Sequence, residues 1–277
     1  MLFYNWVIYM VNIDEIIDLT NLSWTKSRQS FSTAGSYLKS YSYVNGKKVY
    51  YKLSYFDDIN GIFGYESFNE IIADRLLSHL VFSHLEYNLV KGKIVINNKE
   101  YVTYLNYTYD FKRPNETKMT LENFYELNKE NNEDIISFMK RYNFLNEIYH
   151  MIIIDYLIMN RDRHGANIEV LYNTKTKEYR LAPLFDHGLS LLSPSYLLPD
   201  IEAYDIFKNK RVNSYIGSSS LEENIKIVPK SIFPKINLDL DNIFQGIITE
   251  GNEEYMLKAK QLLQRRWNEL EDIFYKK

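Results

Sequence analysis

The chain contains no cysteine, so neither a disulfide nor a thiolate metal site can exist in it, as suits a reducing cytosol. Glycine and proline are scarce, 10 and 6 in 277 residues, and no repeat or low-complexity tract separates one part of the chain from another. That excludes a long flexible linker. A long hydrophobic run is also missing. The longest apolar stretch near the middle, residues 151–159, is interrupted by Asp155 and falls far short of the roughly 20 residues that cross a bilayer. Residues 1–11 are apolar but carry no basic leader and no small-residue cleavage site. Basic charge is not in excess either: Lys+Arg 33 against Asp+Glu 36 gives a net charge of -3, so direct DNA binding is not expected. These absences lead to the expectation of a soluble cytoplasmic protein with no membrane partner, secretion as an effector being left open.

What the chain does have is aromatic bulk. Of its residues 45% are hydrophobic, with 25 Tyr and 15 Phe, which is ample material for a largely aromatic core. The pattern is uneven along the chain. Residues up to about 107 read mostly as strands and the rest mostly as helices. Segments 36–43 and 48–54 flank Asn45-Gly46, the strongest short hairpin signal. A helix is expected over 67–80, then strands over 89–96 and 101–105 around Asn97-Asn98. This is a small sheet with one helix packed on it. The later part opens with a polar surface stretch over 115–133, followed by one long helix over 134–159 whose apolar residues keep helical spacing. The expected fold class is therefore α+β, with a β-rich lobe over 1–106 and a mostly helical lobe over 107–277.

The chemistry begins where that long helix ends, at Asn160-Arg161-Asp162-Arg163-His164-Gly165-Ala166-Asn167. Strands over 168–172 and 179–185 then enclose a polar turn, and the second leads to Asp186-His187-Gly188. A hairpin centred between Thr176 and Lys177 sets Asn167 opposite Asp186, close to Asp162. A carboxylate and an amide are hard oxygen ligands suited to Mg²⁺ shared with substrate phosphates. A further carboxylate, Asp162, can orient a hydroxyl nucleophile, and phosphoryl transfer needs that combination. Any one of these residues alone would serve as a cap or turn former; the helix–loop–hairpin context is what makes the set chemical.

The loop Asp162-Arg163-His164-Gly165-Ala166-Asn167, followed by Leu181-Ala182-Pro183-Leu184-Phe185-Asp186, resembles the HipA family of bacterial serine/threonine kinases. A related loop occurs in phosphatidylinositol-type kinases. The resemblance implies a bilobal protein-kinase-like fold using ATP and Mg²⁺. Asp162 would be the catalytic base, Asn167 and Asp186 the metal ligands, and His164 a supporting loop residue.

Such a kinase needs a strand lysine on the phosphates and a helix glutamate to orient it. Lys52 sits on the strand before the lone helix. Glu70 matches the helix glutamate, with Glu66 as a second candidate. The Asn45-Gly46 register places Lys52 opposite Lys39, an unfavourable like-charge pair unless an anion lies between them. Residues 27–36, with Ser32, Gly35 and Ser36, would cover the nucleotide, and Ser30 and Ser32 would be autophosphorylation sites by the same resemblance. A hinge near residues 102–107, with Tyr104 at its centre, would read the adenine through its backbone. By position Lys208, Lys210, Arg211 and Ser218–Ser220 resemble an activation or substrate-binding segment, while their charges read as a solvated surface loop. The resemblance further implies a protein substrate such as an aminoacyl-tRNA synthetase, and a small antitoxin partner. Because the chain starts close to the nucleotide loop, it is expected to be one of the family's short forms. A lipid kinase would want a basic membrane-facing surface, which the final helix over 253–275 does not offer. An inactive nucleotide-binding module is the remaining alternative.

Overall fold

The computed structural model describes residues 15–25 and 37–275. Its first lobe is built on a five-stranded sheet. A short strand β1 (Ile16–Asp18) precedes β2 (Lys39–Val44) and β3 (Lys47–Leu53), and β4 (Phe56–Asp57) and β5 (Gly61–Ile62) form a separate small hairpin. Helix α1 (Glu66–His79) comes next, then the long hairpin β6 (Asn88–Ile96) and β7 (Lys99–Tyr109). The sheet order is β1-β6-β7-β3-β2.

Local chemistry sets this lobe. Asn45 and Gly46 both hold positive φ, 50° and 75°, as a tight hairpin turn between right-twisted strands requires. Along β3 the side chains alternate: Val49, Tyr51 and Leu53 are buried against an apolar cluster, and Lys52 faces the other side. The register pairs Lys39 with Lys52, as the turn predicts.

The second lobe opens with β8 (Glu116–Thr120) and α2 (Leu121–Asn128), where the sequence suggested only a polar surface stretch. Strand β8 is half-exposed, so its composition hides it. It is held as the third strand of a sheet with β10 (Glu169–Asn173) and β11 (Tyr179–Leu181). The long helix expected over 134–159 is two helices, α3 (Ile135–Arg141) and α4 (Leu145–Leu157). Asn143, at φ 59°, breaks it, and the Phe144 N–H turns back to the Met139 carbonyl at 2.8 Å. The apolar spacing runs through the break because both pieces pack on one core, which holds Phe138, Met139, Phe144 and Ile148. Then come β9 (Asp162–Arg163), β10 and β11, α5 (Leu198–Glu202), β12 (Asn213–Ser214), α6 (Leu221–Asn224), α7 (Leu240–Phe244) and α8 (Glu253–Tyr275). The last spans the expected residues.

The lobes are not separately packed. Apolar residues of α1, among them Ile72, Leu76 and Leu77, belong to the same core as α4 and α8, while the opposite face of the sheet holds its own smaller cluster. Arg75 on α1 also donates to the carbonyls of Ile243 (2.9 Å) and Gln245 (2.6 Å). Helix α1 thus joins the sheet to the helical lobe, which places its first two turns at the cleft. No helix among the described residues is long and apolar enough to cross a membrane.

Candidate active site

Three elements bring charge to the cleft. Lys52 on β3 donates to Glu70 Oε1 at 2.9 Å and makes a second, short ion pair with Asp186. Glu70 is wholly buried and Lys52 nearly so. Burial opposes ionisation of all three, yet they hold one another charged. Asp186 and Glu70 raise Lys52 well above its ordinary pKa. Lys52 in turn lowers Glu70, and Lys52, Lys39 and Arg163 together hold Asp186 well below the usual carboxylate range. The helix glutamate that meets the lysine is therefore Glu70 and not Glu66. Between the opposed Lys39 and Lys52, the counter-charge is the Asp186 carboxylate, whose attraction acts on both lysines. Lys39 itself is largely buried, and desolvation lowers its pKa.

Asp186 holds φ 60°, an uncommon conformation for a residue with a side chain. Two contacts fix it: the Tyr87 hydroxyl accepts the Asp186 N–H at 3.3 Å, and Glu70 Oε2 accepts the His187 N–H at 2.8 Å. Tyr87 was not legible as part of the site, because it belongs to no motif.

The hairpin brings Asn167 and Asp186 together by a different device from the one its turn suggested. The ladder pairs Tyr172 with Tyr179 and Val170 with Leu181, so the turn is centred one residue earlier, between Lys175 and Thr176. Asn173 sets that centre: its side chain accepts the N–H groups of Lys175 and Thr176 at 2.9 and 3.1 Å. Strand β11 then ends at Leu181, before Pro183, which has no N–H to donate. Convergence comes instead from Arg163. Its Nη1 donates to the carbonyls of Asn167 (3.4 Å) and Phe185 (2.7 Å), while Nε and Nη2 grip the buried Asp155 carboxylate at 2.8–3.2 Å.

On the loop after α4, Asn167 Nδ2 donates to the Asp162 carbonyl at 2.8 Å, which leaves its Oδ1 for another ligand. The Asp162 carboxylate accepts from Asn213 Nδ2 at 3.1 Å and lies 3.6 Å from His164 Nε2. His164 Nδ1 accepts the Ala166 N–H at 3.2 Å, so the ring is fixed at both ends. One carboxylate and one amide oxygen are a donor set that fits Mg²⁺, which takes few protein ligands and keeps positions for phosphate and water.

Glu66 has another role. Its carboxylate, 1% exposed, accepts from the Tyr37 hydroxyl at 3.2 Å and the Tyr196 hydroxyl at 2.6 Å. Burial raises its pKa. Tyr196 also stacks on Tyr55 and meets Phe63 edge-on. This clamp ties the segment after Asp186 to α1 and to the chain just beyond the expected nucleotide loop. Of that loop, Ser30, Ser32, Gly35 and Ser36 lie outside the described residues. Tyr104 sits mid-strand in β7 against Phe68, and Leu105–Tyr107 pair with strands on both sides. Val102–Tyr104 pair with β6 alone, so one edge of their main chain stays free of the ladder.

A family model described as phosphatidylinositol 3- and 4-kinase matches residues 65–212, more than half of the chain. The chain belongs to that family. The match takes in Glu70, Asp162, Asn167 and Asp186. A curated relative, the serine/threonine-protein kinase CtkA of Helicobacter pylori, is 27% identical over 201 residues. That alignment covers 69% of this chain but only 57% of the relative's length. The crystal structure of the H. pylori proinflammatory kinase CtkA superimposes with a TM-score of 0.59 at 17% identity, covering 94% of this chain and 97% of that one. The fold is kinase-like. The Shewanella oneidensis HipA, solved with HipB and operator DNA, aligns with a TM-score of 0.47 at 14% identity, covering 89% of this chain and 68% of that one.

Proposed function

We propose that this chain is an ATP- and Mg²⁺-dependent serine/threonine protein kinase. The observation that carries the reading is the buried Lys52–Glu70–Asp186 set, which links sheet, helix and catalytic hairpin at one point. In this reading Lys52, oriented by Glu70 and assisted by Lys39, holds the nucleotide phosphates. Asn167 and Asp186 hold Mg²⁺, which neutralises phosphate charge when bound. Asp162, steadied by Asn213 and His164, accepts the proton of the attacking hydroxyl. Arg163 keeps the two metal-binding residues at a fixed separation. The adenine is read by main chain over 102–104, and Ser30 and Ser32 are phosphorylated in cis to switch the nucleotide loop.

The serine/threonine acceptor is supported by the likeness to CtkA. A role as the toxin of a toxin–antitoxin pair, with a small antitoxin and a substrate such as an aminoacyl-tRNA synthetase, belongs to the same reading, as does action in the cytoplasm. The family description favours a second acceptor, a phosphoinositide. Incubation with radiolabelled ATP and Mg²⁺, against cell lysate and against phosphatidylinositol vesicles, separates the two. Label on protein is the expected result; label confined to lipid would replace the protein acceptor, and none anywhere would overturn the transferase reading.

A further inference from the structure

Among the described residues, Arg161, which precedes the proposed base, forms no ion pair. Other buried or half-buried arginines of the helical lobe are paired: Arg163 with Asp155, Arg180 with Glu116, Arg266 with Glu222. Arg161 instead donates to the Tyr204 hydroxyl at 2.7 Å, and its guanidinium sits 5.9 Å from that ring's centroid. Lys210 lies 4.8 Å from the centroid of the same ring. Burial, Arg161 and Lys208 all lower the Lys210 pKa, and the opposing Asp205 is a weaker influence. Asp205 already caps the Phe207 N–H at 2.8 Å. Among the described residues no carboxylate forms an ion pair with Arg161, Lys208 or Lys210. A solvated face, as the sequence suggested, would spread its charges apart; here like charges gather on one aromatic ring in a chain of net charge -3.

The backbone ties this cluster to Asp162 from two sides. Arg161 precedes Asp162 directly. The stretch holding Lys208 and Lys210 runs into β12, which pairs in parallel with β9, and Asn213 of β12 donates to the Asp162 carboxylate. Arg161 and Lys210 therefore sit on segments that the backbone ties directly to Asp162.

We propose that Arg161 and Lys210, gathered on the Tyr204 ring, form the acceptor's anion site, so that the phosphorylated hydroxyl lies in an acidic protein segment, with an Asp, Glu or phosphorylated residue within about three positions of it along an extended chain. This rests on the kinase reading and names the substrate class for it. A protein segment is taken over a lipid headgroup because the curated relative CtkA is a serine/threonine-protein kinase; the lipid is the other outcome of the test.

The test is fluorescence anisotropy with the full chain and two short peptides, each with a central serine, one flanked by aspartates and one by lysines. The aspartate peptide should bind at least about tenfold tighter and weaken with added salt. Lys210→Ala should cost about three- to fivefold without changing the melting temperature or the KM for ATP. Lys210→Glu should reverse the preference. Equal affinity for both peptides, or an unchanged preference in Lys210→Glu, would overturn the proposal. So would capture by phosphatidylinositol-phosphate vesicles in place of the acidic peptide. Tight acidic-peptide binding without phosphate transfer would instead uphold the anion site and condemn the kinase reading.

Discussion

An ammonium buried with two carboxylates, as Lys52 is with Glu70 and Asp186, binds the fate of each partner to the others. Asp186→Ala should abolish Mg²⁺-dependent nucleotide binding, read by titration calorimetry with and without the metal; unchanged ATP affinity in Mg²⁺ would count against its metal role. Arg163 and Asp155 are a different case, an ion pair whose side chains are 2% and 5% exposed. Arg163→Ala strands a buried carboxylate and should cost about 3–5 kcal/mol in urea unfolding. His84 gives a pH signature. Burial opposes its protonation, but Asp74, 3.3 Å away, prevails and raises its pKa above 6.5. A raised histidine contributes stability fully below the unfolded value of 6.5 and loses it as pH rises through the folded value. His84→Gln should therefore flatten the fall in stability above pH 6.5, measured by melting temperature against pH. At this scale the sequence pointed to residues that meet in the fold: Lys52, Glu70 and Asp186 share one ion cluster, and Arg163 ties the carbonyl of Asn167 to that of Phe185, beside Asp186. It could not distinguish Glu66 from Glu70, because both face the cleft one helical turn apart, and only the positions of Tyr37 and Tyr196 assign the first to another partner.

Elements are set by backbone chemistry that periodicity does not see. The helix break at Asn143 is the clearest instance, since apolar spacing continues through it while φ 59° stops the hydrogen-bond ladder. Asn143→Gly should be tolerated, whereas Asn143→Val should lose about 1–2 kcal/mol from the cost of a left-handed β-branched residue, checked by thermal or urea melts. The hairpin register failed for a related reason. A side chain, Asn173, chooses the turn centre, and a one-residue change there moves every opposed pair beyond it. The β2–β3 hairpin was legible because Asn45-Gly46 leaves only one centre. Tyr196→Phe removes one hydrogen bond to a buried carboxylate. It should weaken the clamp between α1 and the segment after Asp186, raising the KM for ATP more than it lowers the melting temperature.

Across the whole molecule, two lobes share one core through α1, and the charges that would handle phosphate lie along the seam between them. A nucleotide bridging that seam should stabilise both lobes as a unit, by about 2.7 kcal/mol at a hundredfold excess over its dissociation constant. The bilobal α+β layout could be read from the change of strand-like to helical patterning near residue 107. The shared core could not, because amphipathic spacing says which face of α1 is buried but not against what.

Asp162 carries the proposed transfer step. Purified wild-type chain and Asp162→Ala should be compared for phosphate transfer from radiolabelled ATP and, on the same samples, for ATP–Mg²⁺ affinity. Transfer should disappear in the variant while affinity stays within about threefold of wild type, because the proposed base touches the acceptor and not the nucleotide clamp. Full transfer by Asp162→Ala would contradict it.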